Sequence, residues 1–547
     1  MKLCKDQYKL KTTMLLPERI VLSENTLNAE VLLEEHCRQS ILGAESVSCK
    51  IKKGGYIILD FGEEIQGGIV VSIQNPSDRE NGKIHFVFGE SVSEAQSTIG
   101  EKNSVNDHSI RDLYYPVTIH STFRIGNTGF RFVKIEACET DICLSEVQAA
   151  YEHCGLEQKG SFRCSDERIN KIFNVSVKTV YLCMQEYLWD GIKRDRLIWL
   201  GDMHPEVSVI CSVFGDAECV PRSLDEVSRF TPKDKWINTL PSYSFQWIRV
   251  HYLWYMQTGD IEYLKKQKDY INSIIKKADS YITENGEITI EDKFVDWSSR
   301  YTEYEAAGLR AIILMAVREA KEMLISIKDN SGAKLCEKVL QKLVKKCEKY
   351  DGNKQITALC VLAGLCDAER EGYQIIAKDR AKGLSTFLGY YTLCAISEAG
   401  NTAFALDVIK EYWGAMIDLG ATTFWEDFDI DWIENAAPID EPVPEGKKDI
   451  HGDFGKHCYT NFRHSLCHGW SAGPAAYLMK YVLGVNICEP GCRKIKITPN
   501  MGKLKFAEGS YPTPYGPVRI RHENKYGKIM TTVDAPKEID IIYNDYR

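Results

Sequence analysis

Apolar residues in the first 152 positions come in short runs that alternate with polar ones, the pattern of strands with one buried face. YIILDFG (56–62), GGIVVSIQ (67–74), GKIHFVFG (82–89), STFRIG (121–126) and FRFVKIEAC (130–138) are rich in β-branched and aromatic residues and are bounded by Gly, Asn, Asp or Pro. They predict an antiparallel sandwich over residues 1–152.

The period changes at SFRCSDERINKIFNVSVKTVYLCMQEYLWD (161–190). Ser165 or Asp166 can cap a helix in which Ile169, Ile172, Phe173, Val177, Val180 and Tyr181 recur at helical spacing. Further helices are predicted near 205–215, 244–258 (ending at Gly259), 260–281, 302–326, 331–350, 354–366, 384–399, 402–418 and 464–483. The loops between them are rich in Gly, Asp, Trp and Tyr, and the longest runs from about 422 to 463. Helices in successive hairpins predict a closed α/α toroid over 153–485, and the lack of a short repeat argues against a regular solenoid. The tail, 486–547, turns β again with KIKITPN, GPVRIRHEN, GKIMTTVD and EIDIIYN, which predicts a small capping sandwich. The expected fold class is multidomain: an α/α toroid between N-terminal and C-terminal β-sandwiches.

At 547 residues, 44% hydrophobic and 27% charged, the chain has the composition of a folded multidomain protein. The net charge of -9 disfavours a nucleic-acid partner, which calls for a basic patch, and is indifferent to a neutral sugar. The opening MKLCKDQYKLKTTMLLPERIVL has no long apolar run or small-residue cleavage site, and no stretch reaches bilayer-spanning length. Nineteen scattered cysteines, an odd number, fit reduced thiols better than a disulfide framework. A cytoplasmic protein with no membrane partner is expected, its oligomeric state open.

Candidate chemistry concentrates in DGIKRDRLIWLGD (190–202), where Asp190, Asp195, Trp199 and Asp202 surround Lys193, Arg194 and Arg196. A solvated charged turn is the plain reading. A buried Arg–Asp lattice that tunes one carboxylate beside Trp199 is the functional one. ATTFWEDFDIDW (421–432) sets Trp425 beside Glu426, either an acidic loop or a carboxylate next to an aromatic sugar platform. His468 and Trp470 precede a Gly-Pro helix start, FVDWSS supplies Asp296 and Trp297, and SYSFQW supplies Trp247. A lone Trp or His is usually core; several separated loops each pairing Trp with a carboxylate or His point to a carbohydrate site.

Together these residues resemble the bacterial α-L-rhamnosidases, glycoside hydrolase family 78, of the six-hairpin glycosidase class. The resemblance covers the toroid and extends to the flanking sandwiches, including GFRFVKIEA (129–137). The family's barrel loop, an Asp, an Arg–Asp–Glu–Arg stretch, then Trp and Gly–Asp, is matched by Asp190, Arg196, Trp199, Gly201 and Asp202. Its general-base segment, Thr-Thr-x-Trp-Glu, is matched by Thr422, Thr423, Trp425 and Glu426, and its Ser-Leu-x-His by Ser465, Leu466 and His468. Sugar-facing tryptophans correspond to Trp247 and to Trp297 after Asp296. One departure stands out: the family's general acid is Glu, and here the loop is one residue shorter and the position holds Asp195.

The resemblance implies an inverting exo-hydrolase for a terminal deoxy-sugar, with Asp195 as general acid and Glu426 as general base, and no metal or cofactor. Inversion needs roughly 6.5–9.5 Å between the carboxyls for a water. Asp190, Arg194, Trp199, Asp202, Trp247, Asp296, Trp297, Trp425, His468 and Trp470 are the residues expected to bind substrate, a carbohydrate or glycoside. Glu206 is the alternative acid. Zinc on Cys458, His464, Cys467 and His468 fits no standard spacing. A related hydrolase for a uronic acid or another sugar, and a non-catalytic glycan-binding protein, are the competing readings.

Overall fold

The computed structural model describes residues 9–35, 47–76, 82–101, 103–106 and 110–543, arranged as two compact units. The first gathers the described parts of 1–155 with 181–197 and 416–468; the second comprises 156–180, 198–415 and 469–543.

The first unit is built on one antiparallel sheet of seven strands. They are β1 (Lys11–Leu15), β2 (Arg19–Leu27), β3 (Cys49–Pro76), β4 (Lys83–Gly89), β5 (Asp112–Pro116), β6 (Ser121–Ala137) and β7 (Ile142–His153), in the order β1-β7-β3-β6-β4-β5 with β2 also on β3. Runs that read as separate strands at 56–62 and 67–74 are one long strand, β3. It bends where its register with β6 shifts, between Asp60 and Ile65 and between Gly67 and Ile69. The bend needs Gly67 (φ 145°) and Gly68: a Cβ would meet Ala150 O at 2.1 Å and Gly126 O at 2.2 Å. Ile57, Leu59, Ile69, Val71, Phe86, Phe88, Phe130 and Val133 form its core. A short helix, α1 (Val92–Gln96), follows β4 and is capped by Ser91, whose side chain accepts from Glu94 N.

A strand missed in the sequence, β8 (Ser161–Cys164), opens the second unit by pairing with Phe506–Tyr511; that strand carries Val518–Lys525, which carries Lys528–Asp534. Val485–Glu489, Lys494–Ile497 and Asp540–Tyr543 make a second, three-stranded sheet. Helix α2 (Glu167–Cys183) follows β8, with Asp166 Oδ1 accepting from Arg168 N at 3.1 Å, while Ser165 Oγ accepts from Lys505 N instead.

The helices that follow alternate in burial. Helix α3 (Met203–Val213) and the helices Pro241–Thr258, Glu305–Ser326 and Thr386–Glu398 are buried nearly all round. Cys219–Phe230, Ile261–Tyr281 and Asn330–Leu343, lying between the first of these, bury one stripe. Cys219–Phe230 escapes sequence reading because Pro221 sits in its first turn and only Cys219, Val220, Ser223 and Leu224 are buried. The helix expected at 464–483 begins only at Gly469; Ser465 and His468 before it pair through the backbone with Glu426 and Phe424 instead. No helix among the described residues is long and apolar enough to cross a membrane.

Candidate active site

Glu426 lies in the first unit, on an irregular stretch that the sheet grips through backbone groups. Arg131, paired with the buried Asp60 at 2.8 Å, donates to Gly420 O at 3.1 Å. Glu64 N donates to Thr422 Oγ1 at 3.0 Å, and Thr423 Oγ1 donates to Leu466 O at 2.8 Å. The segment 464–468 then runs alongside. Glu426 N donates to Ser465 O (2.9 Å), Ser465 N to Glu426 Oε2 (3.2 Å), and His468 N to Phe424 O (3.0 Å). The threonines of the Thr-Thr-x-Trp-Glu segment therefore fix the path of the chain that carries Glu426.

The loop 190–197 closes on itself: Asp190 N donates to Leu197 O at 3.2 Å, and Leu197 N donates to Asp190 Oδ1 at 2.9 Å. It turns at Asp195 and Arg196, with φ of 55° and 51°, two successive non-glycine residues in the left-handed region. That conformation is costly and persists only where the surroundings impose it. Out of this turn Arg194 reaches Glu426. Its Nη2 donates to both carboxylate oxygens, its Nε donates to Arg463 O at 2.6 Å, and its Nη1 lies 3.2 Å from Asp195 Oδ1. Asp195 and Glu426 thus share one guanidinium.

Burial alone would raise the Glu426 carboxyl. The Arg194 charge, His468 Nδ1 at 3.8 Å from Oε1 and the Ser465 amide outweigh it and hold the group below the usual carboxylate range. His464 accepts from Asp427 N through Nε2 at 3.0 Å, and burial pushes its imidazole well below its usual range.

The second unit assembles another group of sequence-marked residues around a tyrosine that sequence reading passed over. Tyr243 meets Trp199 edge-on at 5.9 Å and Phe294 at 6.2 Å, and Phe294 meets Trp297 at 5.4 Å. Tyr243 Oη donates to Asp202 Oδ2 at 3.5 Å. Trp199 and Trp297 are half-buried and keep surface to offer. A Cβ on Gly201 would lie 2.3 Å from the Tyr243 ring, which accounts for glycine before Asp202. Gly201→Ala should cost about 1–3 kcal/mol by overpacking and displace Tyr243 with Trp199, to be read by thermal melting and tryptophan fluorescence.

Residues 157–482 match the family model for the bacterial alpha-L-rhamnosidase 6 hairpin glycosidase domain, more than half of the chain, and 484–541 match the bacterial alpha-L-rhamnosidase C-terminal domain. The chain belongs to the bacterial α-L-rhamnosidase six-hairpin glycosidase family. An alpha-L-rhamnosidase of Alteromonas sp. is 25% identical over 523 residues, 85% of this chain and 53% of the relative. One from Formosa agariphila is 24% identical over 156 residues, 27% of this chain and 16% of its own. The chain spans about half the length of the first of these curated relatives and less of the second. Among solved structures, the GH78 family rhamnosidase of Bacillus sp. GL1 superimposes with a TM-score of 0.75 at 19% identity, over 94% of this chain and 55% of its own. A rhamnosidase from Klebsiella oxytoca with rhamnose bound does so at 0.67 and 20%, over 86% and 96%. At these identities the structural likeness speaks for the fold.

Against the rhamnosidase family pattern, the structure brings Arg194, Asp195, Glu426 and His468 together in one unit and Trp199, Asp202, Asp296 and Trp297 near one another in the other. Four expected binding residues sit in packing or scaffold positions. Trp247 is fully enclosed, packed on His251 and Tyr270 with its indole N–H on Leu224 O at 3.2 Å. Trp470 is buried and stacked on Phe387 at 5.1 Å. Asp296 caps the turn Trp297–Ser299 and accepts from Ser298 Oγ (2.7 Å) and Ser385 Oγ (2.8 Å). Asp190 holds its own loop, as described. Glu206 is fully buried beneath Gly469.

Proposed function

We propose that the protein is an inverting, exo-acting glycoside hydrolase that releases terminal α-L-rhamnose, or a closely related deoxy-sugar, from glycans or glycosides. The observation that carries the reading is the guanidinium shared by Glu426 and Asp195. Both carboxyls lie against one Arg194 head, which places two acidic groups at a single point of the unit, as a hydrolase working with a pair of carboxyls requires. The sharing is also unequal. Both Glu426 oxygens take the Nη2 hydrogens, whereas Asp195 offers one oxygen at 3.2 Å from Nη1, so Arg194 grips Glu426 the more closely. Glu426 is then the base that takes the water proton, and Asp195 the acid that protonates the leaving oxygen.

The buried indole N–H of Trp425 has no acceptor among the described residues and is available to a sugar hydroxyl beside Glu426. His468, with its Nδ1 3.8 Å from Glu426 Oε1, is the further sugar-binding candidate of the first unit, and Trp199, Asp202 and Trp297 are those of the second. The alternation of enclosed and one-sided helices supports a closed α/α toroid within 153–485, and the seven-stranded sheet and the C-terminal sheets are the β regions expected on either side of it in sequence. The described cysteines are not joined in disulfides, which suits a reducing compartment.

Hydrolysis of an aryl α-L-rhamnoside, followed by NMR, tests the reading: β-L-rhamnose should form first. Retention of the α-anomer would reject inversion, and no turnover would reject the activity. The acid limb of kcat/KM should lie below the ordinary Glu value of about 4.3, because a depressed carboxyl stays ionised until the pH falls through its folded value. Arg194→Met removes the compensating charge and leaves burial. The limb should then move up in pH and turnover fall about 100-fold.

A further inference from the structure

A second buried charge cluster stands behind Glu426 in the same unit, and the reaction as proposed makes no use of it. Lys193 Nζ lies 3.0 Å from Glu90 Oε2, 3.3 Å from Glu94 Oε1 and 3.4 Å from His451 Nε2, and donates to Phe462 O (2.8 Å) and His464 O (2.6 Å). Glu90, Glu94 and His451 offer ligand atoms within 4.8 Å of one another, as a metal site would, but the lysine ammonium occupies that position. All four residues are buried.

Glu90 Oε2 also accepts from Leu466 N at 2.6 Å, and Glu94 Oε2 accepts from Glu90 N at 2.8 Å. Burial pushes the Glu90 carboxyl up, and Lys193 pulls it back. Burial, with the Lys193 charge, keeps His451 well below the usual imidazole range, hence neutral. One proton order satisfies the chain: Ser91 Oγ accepts from Glu94 N at 3.1 Å and donates to His451 Nδ1 at 2.7 Å, and His451 Nε2 donates to His464 O at 2.9 Å.

These contacts end on the neighbours of the two groups that hold Glu426. Lys193 precedes Arg194, and Leu466 follows Ser465. Resting on the reading of Glu426 as the base, we propose that Glu90, with Lys193 on it, is a positioning residue. It sets where Arg194 and the Ser465 amide meet the Glu426 carboxylate, so the sheet domain takes part in catalysis without touching substrate. Ion pairs this deep are weak sources of stability and are better suited to fixing geometry.

The test compares Glu90→Ala with Glu90→Gln in the full chain. The glutamine oxygen can still accept from Leu466 N and Lys193, and its nitrogen replaces Oε1, which has no partner among the described residues. On 4-nitrophenyl α-L-rhamnoside, folded Glu90→Ala should lose about 100-fold in kcat, as a misplacement on the order of 1 Å does. Its KM should stay within a few-fold and its acid limb move up in pH, while Glu90→Gln recovers most of the loss. Peptide-level hydrogen exchange should accelerate in 190–197 and 461–468 alone. A wild-type acid limb in Glu90→Ala, or equal losses in the two variants, would mark a purely structural residue and overturn the proposal. If the wild type hydrolyses no rhamnoside, the proposed activity falls and the exchange pattern decides this inference: uniform or unchanged exchange rejects it. Should Glu90→Ala not fold, Ser91→Ala, which cuts the link to His451, must show the same shifts at smaller size, and an unmoved limb and unchanged exchange reject the idea.

Discussion

Glu426→Gln is expected to lower hydrolysis of natural glycosides at least ~10³-fold, the scale of a lost general base with no substitute at hand. The amide keeps the volume, and its oxygen can still accept from Ser465 N and Arg194. Its nitrogen faces the guanidinium, so the pairing weakens by roughly 1.5–3 kcal/mol, the worth of a hydrogen bond to a charged group. The fold should survive that loss and L-rhamnose should still bind. Steady-state rates and calorimetric titration with L-rhamnose check both halves. A variant that turned over normally would remove Glu426 from the mechanism. One that neither turned over nor bound would make it a binding group instead.

Asp195→Asn carries the second large effect. A general acid matters most when the leaving group is a poor one, so cleavage of an alkyl rhamnoside or rhamnosyl disaccharide should fall ~10²–10⁴-fold. A nitrophenyl rhamnoside, whose phenolate departs unaided, should retain a substantial part of its rate. The contrast depends on Asp195 standing in for a glutamate one methylene longer. Equal losses on both substrates would leave Asp195 as a holder of Arg194. The acid would then have to come from elsewhere, and Glu206, enclosed beneath Gly469, is poorly situated to supply it.

Segments with strong periodicity were legible in the residues alone. The helix ending at Gly259 does so, with that glycine at φ 70° and its N–H on Tyr255 O at 2.8 Å. The next helix is capped by Asp260 through Tyr263 N at 2.9 Å. Strands lacking alternation were not legible. β7 and Phe506–Tyr511 owe their place to partners far away in sequence, and local residue preference says little about such pairing.

Among the proposed site residues, local motif marked Glu426, Asp195, Arg194 and His468, because carboxylate, guanidinium and aromatic groups packed into short loops are readable as chemistry. The tryptophans were less readable. Trp247 and Trp297 look alike as letters, yet one lies inside a helix bundle and the other on a half-buried turn. Tyr243 and Glu90 were not marked at all, since nothing beside them in the chain announces a site.

What the amino-acid sequence determined by itself is therefore whatever depends on neighbours within a turn or two: helix faces, caps and the composition of the active loops. Tertiary structure alone decided that one arginine serves two carboxyls, and that the pair at Glu90 and Lys193 stands behind it. The physical reason is range. A hydrogen-bonded charge pair acts over a few ångströms of space, and residues 90, 194, 426 and 466 come within that reach only after the sheet has closed around the loops that carry them.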